Sequence, residues 1–164
     1  MKTPIKYPAL ILLLLGALFV IGCNDDDDSP RQEAKIYTLT AVSDPAISGN
    51  VIFRKEGPNS TRIMIELNGT QDGNIHPAHI HSNSVSQGGP IVIDLAPVDG
   101  NTGRSKTLVT AFDDGNSVTY EQLINYNGHA NVHLSMEVLD TLIAQGNIGS
   151  NAPSAPSPPN GGGY

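Results

Sequence analysis

Apolar residues recur at every second position along much of the chain after Lys35. In residues 61–67, for example, the apolar residues Ile63, Ile65 and Leu67 alternate with Arg62, Met64 and Glu66. Because successive side chains of a strand point to opposite faces, this spacing predicts a strand with one buried face. Alternation or short apolar runs bounded by Gly, Pro, Asn and Asp predict further strands at residues 36–41, 49–55, 76–81, 91–95, 105–111, 130–135 and 142–148.

Short strands separated by turns at this spacing are typical of an all-β fold. We therefore predict a Greek-key or immunoglobulin-like β-sandwich, in which residues 36–41 and 49–55 form the first hairpin. One short helix interrupts the strands, because Thr119 and Gln122 have the spacing of a capping box and Asn127-Gly128 supplies a stop. The helix is too short to be stable alone, so we expect it to pack across one end of the sandwich.

The five histidines fall in two clusters, His76-Pro-Ala-His79-Ile-His81 and His129 to His133. In a strand, His79 and His81 point to one side and the apolar residues between them to the other. His133 likewise faces away from the apolar residues of its own strand, so the three imidazoles could meet.

Neutral imidazoles suit copper and zinc, and three nitrogens with one open position form a common coordination set. We predict His79, His81 and His133 as metal ligands, with His76, Asp94 and His129 as further candidates. The alternative is that these histidines bind loop carbonyls and hold the loops in place.

The start of the chain differs in composition from the strand region. Residues 1–22 combine Lys2 and Lys6 with an apolar stretch and end just before Cys23, the only cysteine in the chain. This pattern predicts a bacterial lipoprotein signal peptide, with Cys23 as the lipid-modified residue that anchors the mature protein to a membrane. An uncleaved membrane anchor ending at Cys23 is the alternative, and both predict a domain outside the cytoplasm.

The segments that flank the domain are predicted to be solvated. Residues 23–34 contain four consecutive aspartates, which repel one another and predict an acidic tether. A run of this kind resembles an export signal of bacterial outer-membrane lipoproteins, so we predict a cell-envelope protein, facing either the cell exterior or the periplasm. Residues 35–150 then form the folded domain, and residues 151–164, rich in Pro and Gly, a disordered tail.

The net charge of the chain is −7. Removing residues 1–22 takes away two lysines and no acidic residue, which brings the charge to about −9. Such a surface lacks the basic patch that phosphate backbones require, which argues against nucleic-acid binding, and it attracts cations instead.

Four blocks in this order resemble the CHRD (chordin-type) domain of bacterial lipoproteins: residues 76–81, 89–95, 131–133 and 144–149. The resemblance extends from about Ile36 to Asn151, and it implies an extracytoplasmic binding or structural module whose partner is an extracellular protein or a glycan. The histidine block is also similar to the copper-binding strand of Cu/Zn superoxide dismutases, where a His-x-His pair holds copper.

The dismutase likeness implies accessories that this sequence does not supply. Such an enzyme would need a disulfide, a bridging histidine between the two clusters and a cation over the copper. The chain has one cysteine, no histidine between His81 and His129, and only Arg104 and Lys106 as nearby cations. We therefore favour a non-enzymatic binding module, with a copper- or zinc-binding module as the alternative and a metal-dependent redox enzyme as the third hypothesis.

Overall fold

The computed structural model describes residues 32–153. The predicted signal peptide, Cys23, most of the acidic tether and the end of the tail lie outside these residues. Eight strands and one helix follow in the order β1 (Ala34–Ala41), β2 (Ser48–Gly57), β3 (Ser60–Asn68), β4 (Ile75–Ser82), β5 (Ile91–Asp99), β6 (Arg104–Val109), α1 (Tyr120–Ile124), β7 (Asn127–His133) and β8 (Leu142–Gly149).

The eight strands form one closed antiparallel barrel in the order β1-β2-β3-β6-β5-β4-β7-β8. The barrel closes where Thr40 and Ala41 of β1 pair with Gln145 and Ala144 of β8. The predicted β-sandwich is therefore wrong, although the all-β class and the short helix are correct. Alternation along a strand reports which face is buried, and it carries no information on whether the first and last strands pair with each other.

The interior of the barrel is filled by apolar side chains. In β3 the predicted inward residues Ile63, Ile65 and Leu67 are all buried. Aromatic residues contribute as well, because the Tyr37 and Phe53 rings meet edge to face at a centroid distance of 5.3 Å. An eight-stranded barrel is just wide enough for side chains to fill it, and this one has a packed core.

Helix α1 begins with the predicted capping box. The Thr119 hydroxyl accepts a hydrogen bond from the Gln122 backbone N–H, and the Gln122 side chain accepts one from the Thr119 N–H. Tyr120 and Leu123 are buried, and the helix contacts β2 and β8. No helix within residues 32–153 is long and apolar enough to cross a membrane.

Candidate metal centre

Strands β4 and β7 are neighbours in the barrel, and their pairing brings the two histidine clusters together. His79 lies opposite Asn131, and His81 lies opposite His129. The residues between them, such as Ile80 and Ala130, are fully buried in the core, so the histidines occupy the outer face of the barrel.

Two loops fold over this outer face. Loop 83–90 connects β4 to β5, and loop 134–141 connects β7 to β8. His129 and His133 are only 3% and 8% exposed, even though they point away from the core. The loops therefore convert a patch of strand surface into a largely enclosed site.

Each loop supplies backbone carbonyls to the histidines. His81 Nδ1 lies 2.9 Å from the Gly89 carbonyl oxygen, and His133 Nδ1 contacts the Leu139 carbonyl oxygen. A carbonyl oxygen only accepts hydrogen bonds, so in the neutral form of each ring the proton is on Nδ1 and the lone pair is on Nε2. These contacts fix the ring tautomers and leave Nε2 as the metal-binding atom of each ring.

One ring nitrogen from each of His79, His81 and His133 lies within 4.8 Å of the other two. We call these residues the three-histidine group. His79 Nδ1 is 3.1 Å from His133 Nε2 and donates a hydrogen bond to it in the metal-free protein, because the His133 proton is on Nδ1. The His81 Nε2 atom is buried and has no hydrogen-bond partner. A buried nitrogen lone pair without a donor is costly in a folded protein, and a metal ion is one partner that would satisfy it.

Asp94 on β5 lies on the other side of His79. The two residues are directly opposite in the β4–β5 pairing, and His79 Nε2 is 3.5 Å from the Asp94 carboxylate. The Asp113 carboxylate in turn accepts a hydrogen bond of 2.9 Å from the Asp94 backbone N–H. Metal-binding histidines commonly direct their second nitrogen to a carboxylate, and Asp94 stands in that position for His79.

Burial keeps two of the histidines neutral. It is the main cause that lowers the pKa of His79 below its ordinary value of 6.5, and the neighbouring His133 adds to this effect while Asp94 opposes it. Burial also lowers the pKa of His81, against the raising effect of the Gly89 carbonyl. Both imidazoles are therefore neutral at pH 7, which is the state that binds a metal ion.

The other predicted ligands lie outside the three-histidine group. His76 is 2% exposed, and its Nδ1 lies 2.8 Å from the Leu134 carbonyl oxygen at the start of loop 134–141. The His129 ring stacks on the His81 ring at a centroid distance of 5.0 Å, and its Nδ1 lies 2.8 Å from the Asn83 carbonyl oxygen. Both residues hold loops that cover the site.

Asn131 is a residue of the site that the sequence reasoning did not select. It is 9% exposed, lies opposite His79, and its side-chain oxygen is buried without a hydrogen-bond partner. A signal for it was present, because Asn131 falls between His129 and His133 at the spacing that places all three on one face of a strand.

Comparison with protein-family models gives no match for this chain, and a search of curated proteins gives no relative. The resemblance to the CHRD domain stays a prediction from the four sequence blocks.

Proposed function

We propose that this protein is a metal-binding module of the bacterial cell envelope and that His79, His81 and His133 bind one copper or zinc ion. The observation that carries the proposal is that the two nitrogens of each of these rings have different partners. In His81 and His133 the Nδ1 atom faces a loop carbonyl, and in His79 the Nε2 atom faces the Asp94 carboxylate. One ring nitrogen of each of these three residues also lies within 4.8 Å of the other two. This is the arrangement by which proteins orient metal-binding imidazoles.

The distances support coordination of a small ion. With metal–nitrogen bonds of about 2.0–2.1 Å, tetrahedral ligand nitrogens are roughly 3.3 Å apart. The 3.1 Å separation of His79 Nδ1 and His133 Nε2 is already close to that value. The widest separation in the group is at most 4.8 Å, so a ring shift of about 1.5 Å completes the set.

A purely structural role explains less of the site. Holding a loop carbonyl requires one nitrogen per histidine, and the second nitrogen would then face water or a donor. The His81 Nε2 atom is instead buried and unpartnered. The same is true of His76 Nε2, but only His81 belongs to the group whose ring nitrogens lie within 4.8 Å of one another. The geometry therefore favours the metal-binding hypothesis over the loop-holding one.

The test is metal content and a copper and zinc titration of the full chain, purified in detergent without a histidine tag. We expect one tightly bound equivalent in the natural protein and none in a His79→Ala/His81→Ala variant. An Asp72→Ala variant, which changes an exposed residue of the turn before β4, is the control and should keep the equivalent. Binding no stronger than that of the double variant would refute the proposal.

We also propose that Cys23 carries the lipid that anchors the protein to the membrane. The support is the charged and apolar pattern of residues 1–22 and the position of the single cysteine. A Cys23→Ala variant should lose both the lipid mass and membrane association, whereas a Ser29→Ala variant should keep them. Membrane retention of Cys23→Ala after a mild salt wash would contradict the anchor.

A cleft between β1 and β8 supports a second candidate function, the binding of a short extracellular glycan. Its volume is about 790 Å³, and polar residues such as Thr38, Asn125 and Gln145 line it together with apolar ones such as Ile36 and Ile124. Amide and hydroxyl groups in a cleft of this size match sugar hydroxyls. On a glycan array, the natural protein should retain ligands that an Asn125→Ala/Gln145→Ala variant does not, and equal retention would refute this role.

A further inference from the structure

Asn131 lies at the centre of the histidine face. It is the direct partner of His79 across the β4–β7 pair, and it is a diagonal neighbour of His81. Directly opposed residues have Cβ atoms about 4.5–5.5 Å apart, and diagonal ones about 7–8 Å. His133 is two positions along the same strand, on the same face. The Asn131 amide is thus within side-chain reach of all three proposed ligands.

The side-chain oxygen of Asn131 lacks a hydrogen-bond donor. Its Oδ1 atom is buried without a partner, and the residue is 9% exposed. An unpartnered buried carbonyl oxygen destabilises a folded protein. The ligand rings do not supply the donor: His81 and His133 direct their N–H groups to the Gly89 and Leu139 carbonyls. The two nitrogens of His79 face His133 Nε2 and the Asp94 carboxylate.

We propose that an ion in the three-histidine group carries a fourth, exchangeable ligand, a small protic oxygen molecule such as water, and that this ligand donates a hydrogen bond to Asn131 Oδ1. The inference rests on the proposed metal-binding function. Three nitrogens leave one position open on copper or zinc, as in metal sites that keep a water ligand. The Asn131 acceptor makes that position selective, because it stabilises a ligand with an O–H bond and disfavours an anion that has no proton.

The proposal predicts the direction in which Asn131 changes the affinity of the bound ion for azide. Replacing Asn131 with Leu removes the hydrogen bond that stabilises a bound water. It also removes the oxygen lone pair that repels a bound anion without a proton. A hydrogen bond of this kind is worth about 1 kcal/mol, and tenfold in affinity corresponds to about 1.4 kcal/mol. Azide should therefore bind the copper-loaded N131L variant about five- to tenfold more tightly than the natural protein.

The experiment uses the full chain in detergent, loaded with one equivalent of Cu²⁺. Copper stoichiometry is measured first, azide affinity is then followed by its charge-transfer absorption, and exchangeable water is followed by the relaxation rate of bulk water protons. The natural protein should show fast water-proton relaxation that falls as azide saturates the site. An N131D variant keeps the shape and the acceptor oxygen and adds negative charge, so it should bind azide more weakly than the natural protein.

The possible failures are distinct from one another. If the natural protein binds no copper, the proposed function fails and this inference fails with it. If copper binds but neither azide nor water reaches it, the ion has no exchangeable ligand. If N131L speeds water-proton relaxation, Asn131 is itself the fourth ligand in the natural protein. Either result overturns this inference and leaves the proposed metal-binding function standing. The inference is also overturned if N131L and N131D bind azide within twofold of the affinity of the natural protein. If N131L does not fold, the comparison is made with N131D alone.

Discussion

At the residue scale, the chemistry of the centre depends on how each imidazole is oriented. The sequence predicted the outward direction of His79 and His81 because the period of a strand is two. It could not predict the partners of their second nitrogens, since Gly89 O and Leu139 O come from loops whose paths depend on the whole fold. The same period places His76 on the opposite face from His79 and His81, and in the structure His76 is buried and contacts the Leu134 carbonyl.

Asp94 should strengthen metal binding through His79. Its carboxylate lies 3.5 Å from His79 Nε2, where it is placed to accept the N–H of that nitrogen when Nδ1 binds the metal, so an Asp94→Asn variant should bind copper or zinc about tenfold more weakly. An Asp72→Asn variant makes the same change of charge at an exposed turn before β4 and should bind with unchanged affinity. Equal affinities for the two variants, measured by competition with a chelator, would show that Asp94 does not orient the ligand.

The metal-free protein should lose stability as the pH falls. The pKa values of His79 and His81 are below 6.5 in the folded state, so the unfolded chain takes up protons first. Their contribution to stability is complete above pH 6.5 and is lost as the pH falls through the folded-state values. Thermal unfolding followed between pH 7.5 and 5 should show a smaller decrease in Tm for a His79→Gln/His81→Gln variant than for the natural protein, and equal decreases would contradict this assignment.

Among the secondary-structure elements, those defined by interactions between residues close in sequence were predicted best. The Thr119 capping box predicted α1, because both of its hydrogen bonds are made within four residues. A Thr119→Ala variant should lower the free energy of unfolding by about 1 kcal/mol in urea denaturation. A Thr110→Ala variant, at an exposed position with no capping role, is the control, and equal stabilities would argue against the cap.

At the scale of the whole molecule, the sequence predicted the strands and missed the architecture. A sandwich and a barrel can use the same alternating strands, and the difference here is the pairing of Thr40 with Gln145, more than a hundred residues apart in the chain. Closure also depends on a close approach that a pattern of apolar residues does not reveal. A Cβ atom at Gly146 would lie 2.1 Å from the Thr38 carbonyl oxygen.

The close approach at Gly146 gives a test of barrel closure. A Gly146→Ala variant should push β1 away from β8 and lower the free energy of unfolding by about 2–3 kcal/mol. The neighbouring Gln145→Ala change adds no atom between the strands and should cost less than about 1 kcal/mol. Equal stabilities of the two variants in urea would mean that β1 and β8 do not meet at Gly146.

Anomalous diffraction from a crystal of the copper- or zinc-loaded protein, collected at the absorption edge of the metal, locates the bound ion directly. We predict one strong anomalous peak at about 2.0–2.1 Å from His79 Nδ1, His81 Nε2 and His133 Nε2. A peak at another place, or no peak in a crystal grown with excess metal, would contradict the assignment of the three-histidine group as a metal centre.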